Sequence, residues 1–417
     1  MSTPSPLAGE GRGAGADSLG AQLSETVGVF AFSETVPYNA LGESTGRPYS
    51  LPQGERESTG SSPAADAMQD QDFLPTASWP ALKLRAELLR RARAFFDARG
   101  FLEVETPLLS ADVVVDRHLD PIAVTLPDDP RRPDVGRRMW LQTSPEFCMK
   151  RLLAAGSGPI YQICKAFRAG EIGRLHNPEF TMLEWYRPGD DMAAGMRLLG
   201  DLAEALLGLG PAELVSYGEA FARYAGLDPH TASAETLRRR TAELPGGSSP
   251  ELASLEGAAG LQGNNDVARD VWLDWLLTEL VEPHLGVDRP TILYDYPASQ
   301  AALARVRAPD PSNPASGSTL DPPVAERFEL YVRGIELANG YHELLDPAVL
   351  RARSAEANRL RAADGKPILP EESRLLAAME HGLPPSCGVA LGFDRLVMIA
   401  AGATSLAKAI AFPIARA

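Results

Sequence analysis

From Trp79 onwards, apolar residues recur at helical spacing, at Leu84, Leu88, Ala92 and Phe95. This periodicity predicts an amphipathic helix, and Gly100 supplies a stop for it. Residues 101–105 then alternate between apolar and polar types, as a half-buried strand does, and Pro107 ends the alternation. The pattern therefore predicts a helix that runs directly into a short strand.

Short apolar stretches bounded by turn residues predict more strands further along the chain. They lie at residues 139–142, 160–166, 180–186, 291–295, 327–332 and 388–391. Helical periodicity is found at 270–280 and 348–364. The strand pairs predict a mainly antiparallel sheet flanked by helices, which is an α/β fold of the α+β type.

The first part of the chain has a different composition. Residues 1–76 are rich in Gly, Ser, Pro and Thr without sustained periodicity, which is typical of disorder. We expect a disordered or mis-assigned leader at 1–76, with Met68 as an alternative start, and an ordered domain at 77–417. Two stretches rich in Gly, Pro and Ser, 245–265 and 309–323, predict surface loops.

Composition narrows the class of protein. With 44% hydrophobic and 23% charged residues, the chain of 417 residues is ordinary for a globular protein. No apolar run is long enough for a membrane span and no secretory signal is present, so we expect a cytoplasmic protein without membrane contact. The three cysteines are scattered, which predicts reduced core thiols rather than a zinc site or disulfides. The net charge of −15 disfavours a broad nucleic-acid surface.

Two segments place an arginine directly after a predicted strand or a short turn. Residues 163–186 form a predicted strand, loop and strand, with Arg168 at the end of the first strand. A guanidinium group pairs with phosphate oxygens through its planar fork. Residues 388–396 predict a strand and a helix, with Gly392 able to approach a ligand closely and Arg395 following it.

A third segment, residues 334–343, holds two carboxylates, Glu336 and Glu343. Their odd spacing would place them on opposite faces of a regular strand. The intervening Asn339-Gly340 allows a turn, and we expect this turn to bring the two carboxylates together.

The segments at 79–107, 163–186 and 388–396 resemble, in this order, motifs 1, 2 and 3 of class II aminoacyl-tRNA synthetases, and residues 334–343 resemble the segment of that family that carries two glutamates. The run His176-Asn177-Pro178-Glu179-Phe180 and its continuation to Tyr186 is similar to the lysyl branch. The resemblance implies a class II catalytic core that dimerises through motif 1. It further implies that Arg168 meets the α-phosphate, that Phe180 stacks on adenine and that Arg395 holds the terminal phosphate.

Within this group the chain is most similar to a shortened family, the ligases that attach β-lysine to a lysine of elongation factor P. This similarity covers about residues 77–417. The shortened family lacks the oligonucleotide-binding barrel of full synthetases, and no such barrel is predicted in this sequence. It implies an amino acid pocket lined by Ser144, Pro145, Glu146, Glu184, Tyr186, Glu343 and Ala390. It implies ATP contacts from Arg168, Ala169, Gly170, Asn177, Phe180, Glu336, Leu337, Gly392 and Arg395.

By the same resemblance, Arg168, Arg395 and Glu336 are the catalytic residues, and Glu336 and Glu343 hold Mg²⁺ beside ATP. The expected substrates are lysine or β-lysine and elongation factor P. We also expect a homodimer, and tRNA is not an expected partner. Two alternatives stay open: a truncated lysyl-tRNA synthetase that charges tRNA, and a non-catalytic relative that only binds an amino acid.

Two positions depart from the usual patterns. Motif 2 normally has Arg-x-Glu, but position 170 is Gly and the glutamate follows at Glu171. Ala390 stands where lysyl-tRNA synthetases usually have Gly. One added methyl group discriminates by roughly 1–3 kcal/mol, enough to favour an isomer of lysine.

Overall fold

Helix α1 (Trp79–Asp97) follows the predicted spacing and buries Leu88, Ala92 and Phe96. In the computed structural model, residues 73–244, 265–308 and 322–417 are described, without the side chains of 265–268. The side chain of Ser78 accepts a hydrogen bond from the amide of Ala81 and caps the helix. The predicted leader and both predicted loops lie largely outside the described residues, so they stay predictions.

The remaining helices follow the chain as α2 to α9. Their bounds are α2 (Glu146–Ala154), α3 (Met192–Leu207), α4 (Tyr217–Tyr224), α5 (Ala234–Ala242), α6 (Asn265–Leu276), α7 (Pro347–Ala363), α8 (Arg374–Gly382) and α9 (Phe393–Ala400). The helix predicted at 270–280 is α6 continued by a π-helical segment, Leu277–Val281. None of the described helices combines the length and apolar character needed to cross a membrane.

The strands fall into two sheets. Their bounds are β1 (Leu102–Glu103), β2 (Leu109–Ser110), β3 (Ile122–Pro127), β4 (Gly136–Leu141), β5 (Ile160–Phe167), β6 (Glu179–Pro188), β7 (Glu213–Ser216), β8 (Thr291–Pro297), β9 (Val306–Arg307), β10 (Val324–Val332), β11 (Ile335–His342) and β12 (Ser386–Gly392). The main sheet has the order β1-β5-β6-β12-β11-β10-β8-β7, with β9 beside β10, and the second is β2-β4-β3. Among the described strands of the main sheet, only the outer pairs β1/β5 and β7/β8 are parallel, which confirms the predicted antiparallel character.

The two faces of the main sheet have different roles. One face packs Leu183, Val389 and Leu391 into the largest core cluster, together with residues of α1, α3 and α9. The other face carries Glu184 of β6, Ala390 of β12 and Asn339 of β11 in register across neighbouring strands. Because directly paired residues point to the same face, the central strands form a polar floor.

The expected turn at Asn339-Gly340 is wrong. Strand β11 runs through both residues, and Gly340 pairs with Phe328 of β10. A Cβ atom at position 340 would overlap the Phe328 ring, so glycine is needed here for close packing and not for a turn.

A β-bulge brings the two carboxylates to one face instead. Leu330 pairs with Ala338, but the next residue, Tyr331, pairs with Glu336, so Leu337 is an extra residue in β11. An extra residue changes the alternation of side chains. Glu336 therefore lies on the same face as Asn339, despite its odd spacing from Glu343.

Candidate active site

At one end of the polar floor, neutral hydroxyl groups hold a buried carboxylate. Ser144 donates a hydrogen bond to Glu184 Oε2 at 2.7 Å, and Tyr186 donates one to Glu184 Oε1 at 2.7 Å. Glu184 is 1% exposed. Burial, followed by the nearby Glu146 carboxylate, raises the pKa of Glu184 to about 7.

The start of α2 brings a second carboxylate to the same place. Pro145 directly precedes the helix, and the Glu146 amide donates a hydrogen bond to Ser144 Oγ at 3.0 Å. Ser144 therefore both holds Glu184 and fixes the first turn of α2. Glu146 is buried and points into the pocket rather than into solvent.

Lys150, one turn further along α2, was given no role from the sequence. Its ammonium nitrogen lies 2.5 Å from Glu146 Oε1 and 2.5 Å from Glu343 Oε2. Burial alone would lower the pKa of Lys150, but the carboxylates of Glu146 and Glu343 outweigh burial and raise it. Burial also raises the pKa of Glu343, against the opposing effect of Lys150.

The β12 strand leaves room for these groups. A Cβ atom at Gly388 would overlap both the Tyr186 ring and Glu343 Oε1, so only glycine fits at this position. Two residues along, Ala390 pairs with Glu184 and Asn339 and forms part of the floor. The structure thus brings together every residue predicted to bind the amino acid.

The other end of the floor holds the motif 2 arginine. Arg168 lies over the Phe180 ring, with its Cζ atom 5.0 Å from the ring centroid. The Arg168 Nε atom is buried and has no hydrogen-bond partner among the described residues. A buried donor without a partner is costly, so this arrangement suits an anion that the protein itself does not provide.

The local backbone explains the departure within motif 2. Gly170 has φ +79°, a left-handed conformation that residues with a Cβ atom rarely adopt. Glu171, one residue later, lies 3.6 Å from Arg168 Nη1. The amide of Ala169 donates to the Asp120 carbonyl at 2.7 Å and is engaged within the chain.

Arg395, which is predicted to hold the terminal phosphate, already makes hydrogen bonds within the chain. Its Nη1 donates to the Glu336 carbonyl at 2.9 Å, its Nε to the Leu175 carbonyl at 3.2 Å, and its Nη2 lies 2.8 Å from His176 Nε2. Burial and then the Arg395 charge lower the pKa of His176, consistent with a neutral ring that accepts from Arg395. Arg395 therefore joins the motif 2 loop to β11.

Three further residues predicted to contact ATP differ in which of their groups are available to a ligand. The Asn177 side chain donates to the Glu179 carbonyl at 2.6 Å and accepts from the Ile414 amide at 2.9 Å. Leu337 is 2% exposed and its side chain belongs to the core, so only its backbone can meet a ligand. At Gly392 a Cβ atom would come no closer than 3.7 Å to the described chain.

The two predicted metal ligands have different surroundings. Glu343 is occupied by the Lys150 ammonium, whereas the nearest cation to Glu336 is Arg395 at 3.6 Å from its Oε2. Within the part of the chain that the structure describes, no group of three or more His, Cys, Asp or Glu is arranged as a metal site. A magnesium ion that uses one or two carboxylates and phosphate oxygens fits Glu336 better than Glu343.

A small acidic cavity of about 180 Å³ opens beside Glu336. Glu329 on its wall accepts hydrogen bonds from Tyr296 at 2.5 Å and Tyr331 at 2.6 Å. Burial, followed by the charge of Glu329, raises the pKa of Glu282 to about 8. These acids lie close to the nucleotide half of the floor and are not among the site residues predicted from the sequence.

The two halves lie on one continuous surface. Phe180 and Tyr186 share a face of β6 and are separated by roughly 20 Å at about 3.3 Å per residue. This length accommodates an amino acid and ATP end to end, with the carboxylate pocket at one end and Arg168 at the other. A sheet floor with these three sequence motifs is the catalytic core of a class II synthetase.

Comparison with known proteins agrees with this geometry. The family model described as tRNA synthetases class II (D, K and N) matches residues 75–416, and the chain belongs to this family. It is 47% identical over 345 residues to an elongation factor P–(R)-β-lysine ligase of Edwardsiella ictaluri, an alignment that covers 82% of this chain and 98% of that protein. Ligases with the same description from Salmonella paratyphi B and Salmonella schwarzengrund are 46% identical over 343 residues, with the same coverage. The fold class and the family resemblance predicted from the sequence are confirmed.

Proposed function

We propose that the protein is an ATP-dependent ligase that activates (R)-β-lysine, or lysine, as an adenylate and transfers it to a lysine side chain of elongation factor P. The observation that carries the proposal is the buried pocket of Glu146, Glu184 and Glu343 on the same sheet face as Arg168 and Phe180. Buried carboxylates call for a cationic ligand, because unpaired buried charges are costly. The relatives described above have this activity by name.

Activation requires no nucleophile from the protein. A substrate carboxylate oxygen attacks the α-phosphorus of ATP, a new P–O bond forms, and the bond to pyrophosphate breaks. Arg168, whose Nε has no hydrogen-bond partner in the described part of the chain, would stabilise the charge that develops on the α-phosphate. Phe180 would carry the adenine ring, and Gly392 would leave space for the nucleotide against the backbone.

Magnesium would bind at Glu336, whose carboxylate is the more accessible of the two predicted metal ligands. When bound, the ion neutralises phosphate charge and helps pyrophosphate to leave. Arg395, anchored to β11 and to the motif 2 loop, would position that loop over the phosphates.

In the second step the acceptor amine attacks the adenylate carbonyl, an amide bond forms, and AMP leaves while the amine loses a proton. The chain's net charge of −15 disfavours binding of the tRNA phosphate backbone, so a lysine of a protein is the better candidate for the acceptor. Protein docking at such a surface depends on shape and on a few charge pairs.

A homodimer is part of the proposal. Strand β1 lies at the edge of the main sheet, where it pairs with β5. Its Leu102 is 57% exposed, and Trp79 at the start of α1 is 69% exposed. An edge strand beside exposed apolar side chains suits burial against a second copy.

Amino-acid-dependent exchange of labelled pyrophosphate into ATP tests the activation step. We expect exchange with (R)-β-lysine and, more weakly, with lysine, in the presence of Mg²⁺. Folded protein that binds the amino acid without any exchange would favour the alternative of a non-catalytic binding protein.

A further inference from the structure

The Lys150 ammonium is enclosed by acidic groups inside the amino acid pocket. It lies 2.5 Å from one oxygen of Glu146 and 2.5 Å from one oxygen of Glu343, and it is 5.8 Å from the centroid of the Tyr186 ring. Lys150 is 2% exposed. A lysine is seldom buried to this extent unless it is paired, so these contacts define its orientation.

The pairing divides the three carboxylates into two kinds. Glu146 and Glu343 share the Lys150 ammonium, whereas Glu184 is held by the neutral hydroxyls of Ser144 and Tyr186. Lys150 therefore offsets one carboxylate charge of the three and leaves two to be balanced from outside. A lysine isomer brings two ammonium groups, while its carboxylate must face ATP.

We propose that Lys150 is a positioning residue for the amino acid: its ammonium orients the Glu146 and Glu343 carboxylates so that they can receive the ammonium groups of a diamino acid. This inference rests on the proposed function, since it concerns the substrate of that reaction. Under this inference Lys150 acts through Glu146 and Glu343 and does not touch the reacting atoms. The substrates are then amino acids with two amines.

Charge repulsion between Lys150 and the substrate ammonium groups would instead make Lys150 unfavourable for amino acid binding. If Lys150 mainly repelled an incoming ammonium, its removal would tighten substrate binding. The geometry favours positioning, because removal would leave Glu146 and Glu343 buried, unpaired and facing each other. Like charges so placed turn away or take up a proton, and either response removes a correctly placed acceptor for the substrate. Replacement of Lys150 should therefore weaken amino acid binding if Lys150 acts by positioning, and should tighten it if Lys150 acts by repulsion.

Equilibrium binding by calorimetry tests the inference without requiring catalysis. (R)-β-lysine and ATP are titrated separately into the wild-type protein and into the variants Lys150→Met, Lys150→Arg and Lys408→Met. Lys408 is exposed in the structure and serves as the matched control. Loss of a hydrogen bond to a charged ligand group commonly costs about 10- to 100-fold in affinity, so we expect Lys150→Met to weaken (R)-β-lysine binding by roughly this factor.

The affinity of Lys150→Met for ATP should stay within about twofold of wild type, and Lys150→Arg should recover most of the lost amino acid affinity. Equal or tighter binding of (R)-β-lysine by Lys150→Met would overturn the inference, as would an equal loss for both ligands. If Lys150→Met does not fold, Lys150→Gln keeps a donor for one carboxylate and is judged by the same criteria. Failure of the wild-type protein to bind any lysine isomer would instead overturn the proposed function.

Discussion

Arg85 of α1 donates a hydrogen bond from Nη1 to Asp394 Oδ1 of α9 at 2.6 Å. The other Asp394 oxygen accepts from the Thr181 amide of β6 at 2.8 Å, and Arg85 Nη2 donates to the Thr181 hydroxyl at 2.7 Å. Asp394 is 2% exposed. One buried carboxylate thus joins the helix of motif 1, a strand of motif 2 and the helix of motif 3.

Replacing Asp394 by Asn should therefore destabilise the protein as a whole. The substitution keeps the shape but removes the charge that pairs with the largely buried Arg85. We expect a loss of about 2–3 kcal/mol in the free energy of unfolding, measured by chemical denaturation. The matched control is Glu235→Gln, which breaks an exposed ion pair with Arg238 and should leave the denaturation midpoint unchanged. Equal midpoints for both variants would contradict this assignment.

Arg168 and Arg395 should respond differently to substitution. Arg168→Ala should keep the wild-type melting temperature and lose about 10²–10³-fold in pyrophosphate exchange, because its guanidinium serves a ligand. Arg395→Ala should lose exchange and also melt at a lower temperature, because its three donors hold the motif 2 loop and β11. Wild-type stability of Arg395→Ala would show that these hydrogen bonds contribute nothing to the fold.

Two glycines of β12 provide a contrast between the halves of the site. In Gly388→Ala the new methyl group overlaps Tyr186 and Glu343, so we expect a raised KM for the amino acid and little change for ATP. In Gly392→Ala the methyl group meets no described atom closer than 3.7 Å, so the fold should be retained and the KM for ATP should rise. Steady-state kinetics with each substrate varied in turn gives both values. If Gly392→Ala raised the KM for the amino acid and left the KM for ATP unchanged, the nucleotide would have to bind elsewhere.

Binding of the amino acid should strengthen as pH rises through about 7. The pKa of Glu184 is raised to about 7, so this carboxyl group is largely neutral below that pH and ionised above it. An ammonium ligand favours the ionised form, and its KM should fall between pH 6 and pH 8. The stability of the free protein should move the other way: a raised carboxyl pKa stabilises the fold below pH 4.5 and this contribution is lost as pH rises through 7. Glu184→Gln should weaken both trends, and the remainder should come from other carboxyl groups whose pKa is raised by burial, such as Glu343 and Glu282.

The sequence predicts the elements of this fold better than the contacts within the site. Local periodicity is sufficient for α1, and strands β5, β6, β8 and β10 follow their apolar stretches. The bulge at Leu337 escapes prediction because it depends on the pairing of β11 with β10, whereas Asn339-Gly340 locally resembles a turn. The role of Lys150 is not predictable from the sequence for a related reason. On α2 it resembles a surface residue, and its burial depends on pairing with Glu343, which is distant in sequence.

The acceptor is tested most directly by the mass of elongation factor P after incubation with the protein, ATP, Mg²⁺ and (R)-β-lysine. Bulk tRNA is offered in a parallel reaction and assayed for charging. We expect that the factor gains the mass of one lysyl unit, that replacement of its acceptor lysine abolishes the gain, and that tRNA stays uncharged. Efficient tRNA charging with an unmodified factor would contradict it and identify a truncated tRNA synthetase instead.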